Sequence, residues 1–214
     1  SGYGYERSTT PNIDRLAEEG VRFENAVAPS PWTLPSITSI LTGALPSRHQ
    51  AGYHIDPPSE TDQRMARMRS GMTTLGNLFQ DHGYKTVGFF NNPFTHPEFG
   101  LNQGFDEYNY AGGDNMNIRT ANLVVAQAQK WIEENGDEPF FMALHFFDPH
   151  LAYNPPLTSA APYISDYQGK LSPPFNPELY EVRTGELELS EEDKEFVVGL
   201  FDAEVATVDA VLGS

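Results

Sequence analysis

Thr33 stands where a hydroxyl in this chain could do chemistry. It lies in Ser30-Pro31-Trp32-Thr33-Leu34-Pro35-Ser36-Ile37-Thr38-Ser39-Ile40-Leu41-Thr42-Gly43, where Pro35 reads as the first residue of a short helix and Gly43 as its stop. The first N–H groups of a helix have no partner in their own helix and attract phosphate or sulfate oxygens. A hydroxyl just before them could attack a tetrahedral anionic ester, given a metal or a base to activate it. The same placement also describes a plain capping threonine. His150 is the second candidate. It follows an apolar strand read from Phe140 to Phe147, where an imidazole could hold an ester oxygen or protonate a leaving group; a loop histidine there could equally pack or cap. Asn91-Asn92-Pro93 reads either as an ordinary turn or as an uncharged donor to an oxyanion.

The elements that must position these residues alternate. Thr9 to Gly20 reads as a helix capped by Thr10, with Pro11 in its first turn and Ile13, Leu16 and Ala17 as its apolar stripe. Val21 to Ala28 reads as a strand, Pro35 to Leu41 and Thr73 to Asp81 as helices, and Thr86 to Phe90 as a buried strand. Ile118, Ala121, Val124, Val125, Ala128, Trp131 and Ile132 recur at helical spacing, with Gly136 just beyond. Ser190 opens a last helix with acids in its first turn and Val197, Leu200, Phe201, Val205, Val208 and Leu212 as its expected buried face. Strands separated by helices predict an α/β fold with a mainly parallel sheet flanked by helices on both faces. Residues 54–72 and 151–189 read as long loops, the places where substrate choice would lie.

The composition excludes several functions. The 214 residues suffice for one domain with its own core, and no apolar run has the roughly 20 residues of a membrane-crossing helix. There is no cysteine, so disulfides, thiolate metal sites and a cysteine nucleophile are excluded. The net charge is −17, and 4 of the 13 basic residues are lysine, which argues against nucleic acid as a partner and against an anionic substrate unless a cation shares the site. The acids are densest between Glu178 and Asp209, which predicts a solvated helix face.

The segment around Thr33 resembles the sulfatase signature, which reads Cys or Ser, any residue, Pro, Ser, Arg, then a helix ending in Thr-Gly. Thr33-Leu34-Pro35-Ser36 and Leu41-Thr42-Gly43 match that frame. Four further stretches resemble sulfatase landmarks in the family's order: Thr10 to Phe23, Gly83-Tyr84-Lys85-Thr86, Gly104-Phe105-Asp106, and Pro139 to His150, with Phe201 to Asp209 similar to the helix that follows. The resemblance covers nearly the whole chain. It implies a catalytic domain of the alkaline-phosphatase superfamily, of which residues 1–214 would be the N-terminal part. It implies Thr33 at the nucleophile and inner metal-ligand position and His150 as a substrate-binding or acid residue. Ser36, Asn91 and His145 are the substrate-binding candidates; Asn91 takes the place of a family lysine, and His145, earlier in the strand, reads as a hydrogen-bonded structural residue.

The resemblance also implies a divalent metal, calcium first, with zinc or manganese as alternatives. The aspartate pair that would hold it is expected upstream of Ser1, and an Asp-His or Asp-Asn pair beyond Ser214. Two departures matter. Threonine at position 33 cannot become the formylglycine of the family, and Ile37 replaces its arginine. The expected activity is metal-dependent hydrolysis of a small-molecule, glycan or lipid sulfate or phosphate ester. A phospho-group transferase of the same superfamily and a non-catalytic sulfatase-like binding module are the alternatives.

Overall fold

The computed structural model describes residues 2–53, 66–112, 118–174 and 177–214. In chain order the elements are α1 (Pro11–Glu19), α2 (Thr33–Thr42), α3 (Pro46–His49), α4 (Leu75–Asp81), β1 (Lys85–Asn91), β2 (Glu107–Ala111), α5 (Ala121–Asn135), β3 (Phe140–Leu144), α6 (Leu157–Ile164), α7 (Pro177–Thr184) and α8 (Glu191–Leu212), with two short 3-10 turns between β1 and β2. They fall into two compact units. One holds Ser1–Phe23, Thr120–Val125 and Phe146–Ser214, the other Glu24–Arg119 and Ala126–His145.

The second unit is built on a parallel sheet in the order β2-β1-β3. β1 is central and, past Lys85, buried at every residue, as a parallel strand covered on both faces must be. Its register sets Val87 beside Glu107 and Met142. The core beside it gathers Leu34, Leu41, Met68, Phe90, Leu101 and Phe105.

Polar side chains set the ends of these elements. Thr74 and Asn77 form a reciprocal capping box at the start of α4, and the Thr74 hydroxyl also donates to Gln103 O at 2.8 Å. Asp106 accepts from Thr86 N at 2.8 Å and from Thr86 Oγ1 at 3.0 Å, tying the start of β2 to that of β1. Between them Gly104 has φ +81° and lies directly on α4, so that a Cβ there would stand 2.1 Å from Asn77 N. The Gly104-Phe105-Asp106 landmark is therefore a close-approach turn, and the strand it starts, β2, is a short Glu-Tyr-Asn-Tyr-Ala alternation that was not among the expected strands.

The first unit packs α6 and α1 against α8. A Ser190–Asp193 capping box opens α8, as expected. The expected buried face is corrected: only Leu200 of the six is buried, and Phe201 remains 39% exposed. The buried residues are instead Phe196, Gly199, Leu200, Asp202, Ala203, Glu204 and Asp209. Three of the acids expected on a solvated face are thus interior, because each accepts hydrogen bonds there. Asp209 takes Asn12 N at 3.0 Å and Ile13 N at 2.8 Å. It does so in place of Thr10, whose side chain makes no cap and donates to Asp14 at 2.9 Å. Asp202 takes the Tyr5 hydroxyl at 2.9 Å and Arg7 Nη1 at 2.8 Å.

Other expectations are corrected as well. Val21 to Ala28 forms no strand: Val21, Phe23 and Val27 are 80%, 70% and 90% exposed, and no described strand offers its backbone a partner. β3 ends at Leu144 rather than at position 147, with His145 N donating one last rung to Phe89 O at 2.9 Å. Residues 151–189 contain α6 and α7 rather than one long loop. Of the stretch 54–72, residues 54–65 lie outside the described residues. Met68 and Arg69 bond through their backbone N–H groups to Phe99 O and His49 O at 2.9 and 2.8 Å.

Gly104→Ala is expected to cost on the order of 3 kcal/mol, the sum of left-handed backbone strain and overpacking against α4. Urea denaturation of the purified chain measures it; an unchanged midpoint contradicts the packing described.

Candidate functional site

Thr33 is the first residue of α2, not the residue before it. Trp32 is the N-cap, in extended conformation, and the first helical rung is Ser36 N to Trp32 O at 3.3 Å. Pro35 is therefore the third helical residue, where it gives up no helical bond. The first-turn N–H groups without a helical acceptor are those of Thr33 and Leu34.

The helix is held by its hydroxyls further along. Thr38 and Thr42 donate to carbonyls one turn back, both at 2.7 Å. Ser39 Oγ meets His49 Nε2 at 2.9 Å, and Ala51 N donates to His49 Nδ1 at 3.1 Å. Those two bonds define a neutral ring with its proton on Nε2. Burial holds the His49 imidazole below its ordinary pKa, a nearby Pro35 carbonyl opposing this only in part. Gly43 ends the helix in the left-handed region, its N–H on Ser39 O at 2.8 Å. Trp32 sits over Gly52, where a Cβ would stand 2.5 Å from the indole. The hydroxyls of Thr33 and Ser36, both half-buried in the first turn, take no part in this bonding.

Asn91 and His145 lie at the carboxyl end of the sheet, where open parallel sheets form their ligand crevices. Asn91 is fully buried and clasps the backbone of Arg119, donating to its carbonyl and accepting from its N–H at 2.8 Å. That clasp presents the Arg119 guanidinium to the ends of β1 and β2: Nη2 donates to Phe90 O at 2.8 Å and Asn109 O at 3.1 Å, and Nη1 to Asn109 Oδ1 at 2.7 Å. Arg119 Nε and His145 Nδ1 are the buried side-chain polar atoms without a partner among the described residues. The His145 ring lies near-parallel to Phe90 at 6.3 Å. Burial lowers the pKa of both Arg119 and His145.

His150 belongs to the other compact unit. It is exposed, its Nδ1 lies 2.8 Å from Leu151 O, and its ring packs on Phe147 at 4.4 Å. Nδ1 is therefore the donor, and Nε2 is left facing outward. The segment bearing His150 is tied at both ends. Asp148 Oδ2 accepts Ala121 N at 3.1 Å in the first turn of α5, and Glu204 Oε1 accepts Asn154 N at 2.8 Å. Burial first, then the adjoining Asp148 carboxylate, push Glu204 up to about 7, with the Asn154 N–H opposing.

Sequence reading missed His49, Arg119, Asp148 and Glu204. Glu204 had one available signal, its place one turn after the buried Leu200 and two after Phe196. Arg119 had none, because its environment is assembled from β1, β2 and Gln127 of α5.

Among the described residues no group of three or more His, Cys, Asp or Glu is placed to hold a metal ion. Hard cations take six to eight oxygen ligands, so the donors described in this chain do not by themselves fit the divalent ion that the resemblance implies.

A parallel α/β sheet with its polar groups at the carboxyl ends, next to a hydroxyl-bearing helix start, defines the class of molecule. The sulfatase family model matches residues 1–214, and the chain belongs to that family. Among curated proteins it is 27% identical over 165 residues to the Delta 4,5-hexuronate-2-O-sulfatase of Bacteroides thetaiotaomicron, covering 69% of this chain and 31% of that protein. Among solved structures it is similar to the phosphonate monoester hydrolase of Agrobacterium radiobacter, with TM-score 0.70, 16% identity, 99% of this chain and 54% of the other. It is also similar to the C-terminal periplasmic domain of EcEptC from Escherichia coli in complex with Zn, with TM-score 0.62, 19% identity, 99% of this chain and 53% of the other. The chain thus spans about a third of that relative and about half of those structures.

His49 supplies a pH test. Its pKa is below the ordinary 6.5 in the folded state, so its contribution to stability is present above about pH 6.5 and declines as pH falls and the unfolded chain takes up the proton. The stability advantage of wild type over His49→Gln is expected to shrink from pH 7 to pH 5, read from urea midpoints; an advantage that grows toward acid contradicts a neutral buried ring.

Proposed function

We propose that the whole enzyme to which this chain contributes hydrolyses sulfate esters, with Thr33 as nucleophile. One observation carries the reading: in a helix whose other engaged hydroxyls are bound at 2.7 and 2.9 Å, the Thr33 hydroxyl at the family's nucleophile position has no partner among the described residues. Its oxygen forms a bond to the ester sulfur as the hydroxyl proton passes to water, the sulfur–alkoxy bond breaks, and the departing alkoxide takes a proton, for which His150 is the candidate donor by its match to the family's histidine. Water then releases sulfate from Thr33 in a second displacement. The N–H groups of Thr33 and Leu34 donate to the ester oxygens as charge builds on them. Ser36 adds a hydroxyl in the same helical turn. Asn91 acts through Arg119, which it holds at the end of β1, rather than on substrate.

The substrate class is an anionic ester on a sugar, supported by the hexuronate sulfatase relative. A second reading, phosphate-ester hydrolysis or transfer, is favoured by Thr33 itself, which forgoes formylglycine chemistry. Family membership and the zinc complex of one structural neighbour support a divalent metal in the whole enzyme, calcium, zinc or manganese. Thr33 is the one ligand assigned to it here. No step above is routed through that ion, since the donors described do not enclose it.

In the whole enzyme with divalent metal, Thr33→Ala is expected to lower kcat on an aryl sulfate by about 10³-fold or more, and Thr33→Ser to retain measurable turnover. Parallel assays on aryl phosphate mono- and diesters separate the two readings. Equal activity in Thr33→Ala would remove the nucleophile assignment. The chain of 214 residues alone is expected to bind calcium no tighter than about 1 mM by calorimetry; micromolar binding would show that it holds a metal site of its own.

A further inference from the structure

Two carboxyl groups meet in the interior of the first unit. Glu204, 5% exposed on α8, is hydrogen-bonded through its side chain to Asp148. Two carboxylates cannot share a hydrogen bond; one proton must lie between them. Each carboxyl also accepts from a backbone donor, Ala121 N on Asp148 at 3.1 Å and Asn154 N on Glu204 at 2.8 Å. Asp148 is held at the first turn of α5 by its bond from Ala121 N. The pair therefore brackets residues 148–154, and His150 lies inside the bracket.

We propose that Glu204 is a positioning residue for His150: one proton shared between the Glu204 and Asp148 carboxyls clamps residues 148–154 to α8, and loss of that proton releases them. The proposal rests on the assignment of His150 to the substrate site. The charged and titratable neighbours are consistent with one proton and no counter-cation. From the 148–154 segment Glu204 faces Asp148 and the Tyr153 phenol, whose pKa is raised by burial and then by Glu204. On its own helix Asp202 is taken up by Tyr5 and Arg7 of the N-terminal segment and adjoins Tyr163 of α6, and Asp209 is taken up by the first turn of α1. None of these supplies a positive charge to Glu204. Deprotonation would therefore set two bare carboxylates against each other in a buried place, and the segment between them is what can move.

The sign follows from the proton. Glu204 binds its proton more tightly folded than unfolded, so the clamp is complete in mild acid and is lost as pH rises through about 7. The Asn154 amide, which donates to Glu204, reports it directly. In the 214-residue chain its hydrogen-exchange protection factor, corrected for intrinsic rate, is expected to fall at least about tenfold between pH 5.5 and 8.5. Glu204→Gln carries a permanent N–H donor to Asp148 and should hold the protection constant over that range. Constant protection in wild type, or the same step in Glu204→Gln, overturns the clamp. Glu204→Ala should lose protection at every pH; if it fails to fold, the glutamine comparison still decides. In the whole enzyme, Glu204→Gln is expected to shift the alkaline limb of the kcat/KM profile upward while kcat at mildly acidic pH is kept. An unchanged profile overturns the positioning role. If His150→Ala leaves turnover intact, the role of His150 falls, and the amide data show separately whether the clamp exists.

Discussion

A backbone N–H taken out of water without an acceptor costs about 1–3 kcal/mol, and the ends of helices and strands expose such groups in numbers. This chain meets that demand largely with acids. Asp209 serves the first turn of α1, Asp106 the start of β1, Asp148 the first turn of α5, Glu204 the backbone of Asn154, and Asp193 the start of α8. Each bond is between 2.8 and 3.1 Å and joins a carboxylate to an N–H that its own element leaves unpaired. Part of the charge of −17 is accordingly architectural rather than a coat for solubility.

The same constraint shapes the region around Thr33. A helix start must leave its first N–H groups to something outside the helix. In α4 and α8 a capping box takes them. In α2 no side chain does, and Pro35 removes one of them altogether. The helix is instead held from behind, by Ser39 on the neutral His49 ring and by Trp32 packed over Gly52. Stability has been placed at the back and sides of the helix, which leaves the Thr33 and Ser36 hydroxyls of its first turn outside this bonding.

Much of this was legible in the sequence, where the cause is local. Gly43, Gly136, the Ser190 cap and the apolar run of β1 act within a few residues, and they appear where propensity places them. Thr33 was found by its neighbours, though two residues further into the helix than expected. The failures share a different cause. β2 is a strand because β1 lies beside it, its own Glu-Tyr-Asn-Tyr alternation being only four residues long, and Val21 to Ala28 is not one because no described strand does; neither outcome follows from the segment alone. The interior face of α8 was misjudged because charge was read as exposure, whereas a carboxylate supplied with two N–H donors tolerates burial.

The amino-acid sequence by itself determined the family, the α/β alternation, and the residue types at the position proposed for the nucleophile, because those depend on short motifs and on periodicity. Only the tertiary structure decided what the polar groups are for. It committed Asn91 to Arg119, left His145 Nδ1 without a partner, and set Glu204 against Asp148 under the segment that carries His150. The reason is one of range. A hydrogen bond between residues 28 or 50 positions apart is specified by the packing of whole elements, and no window of sequence contains it.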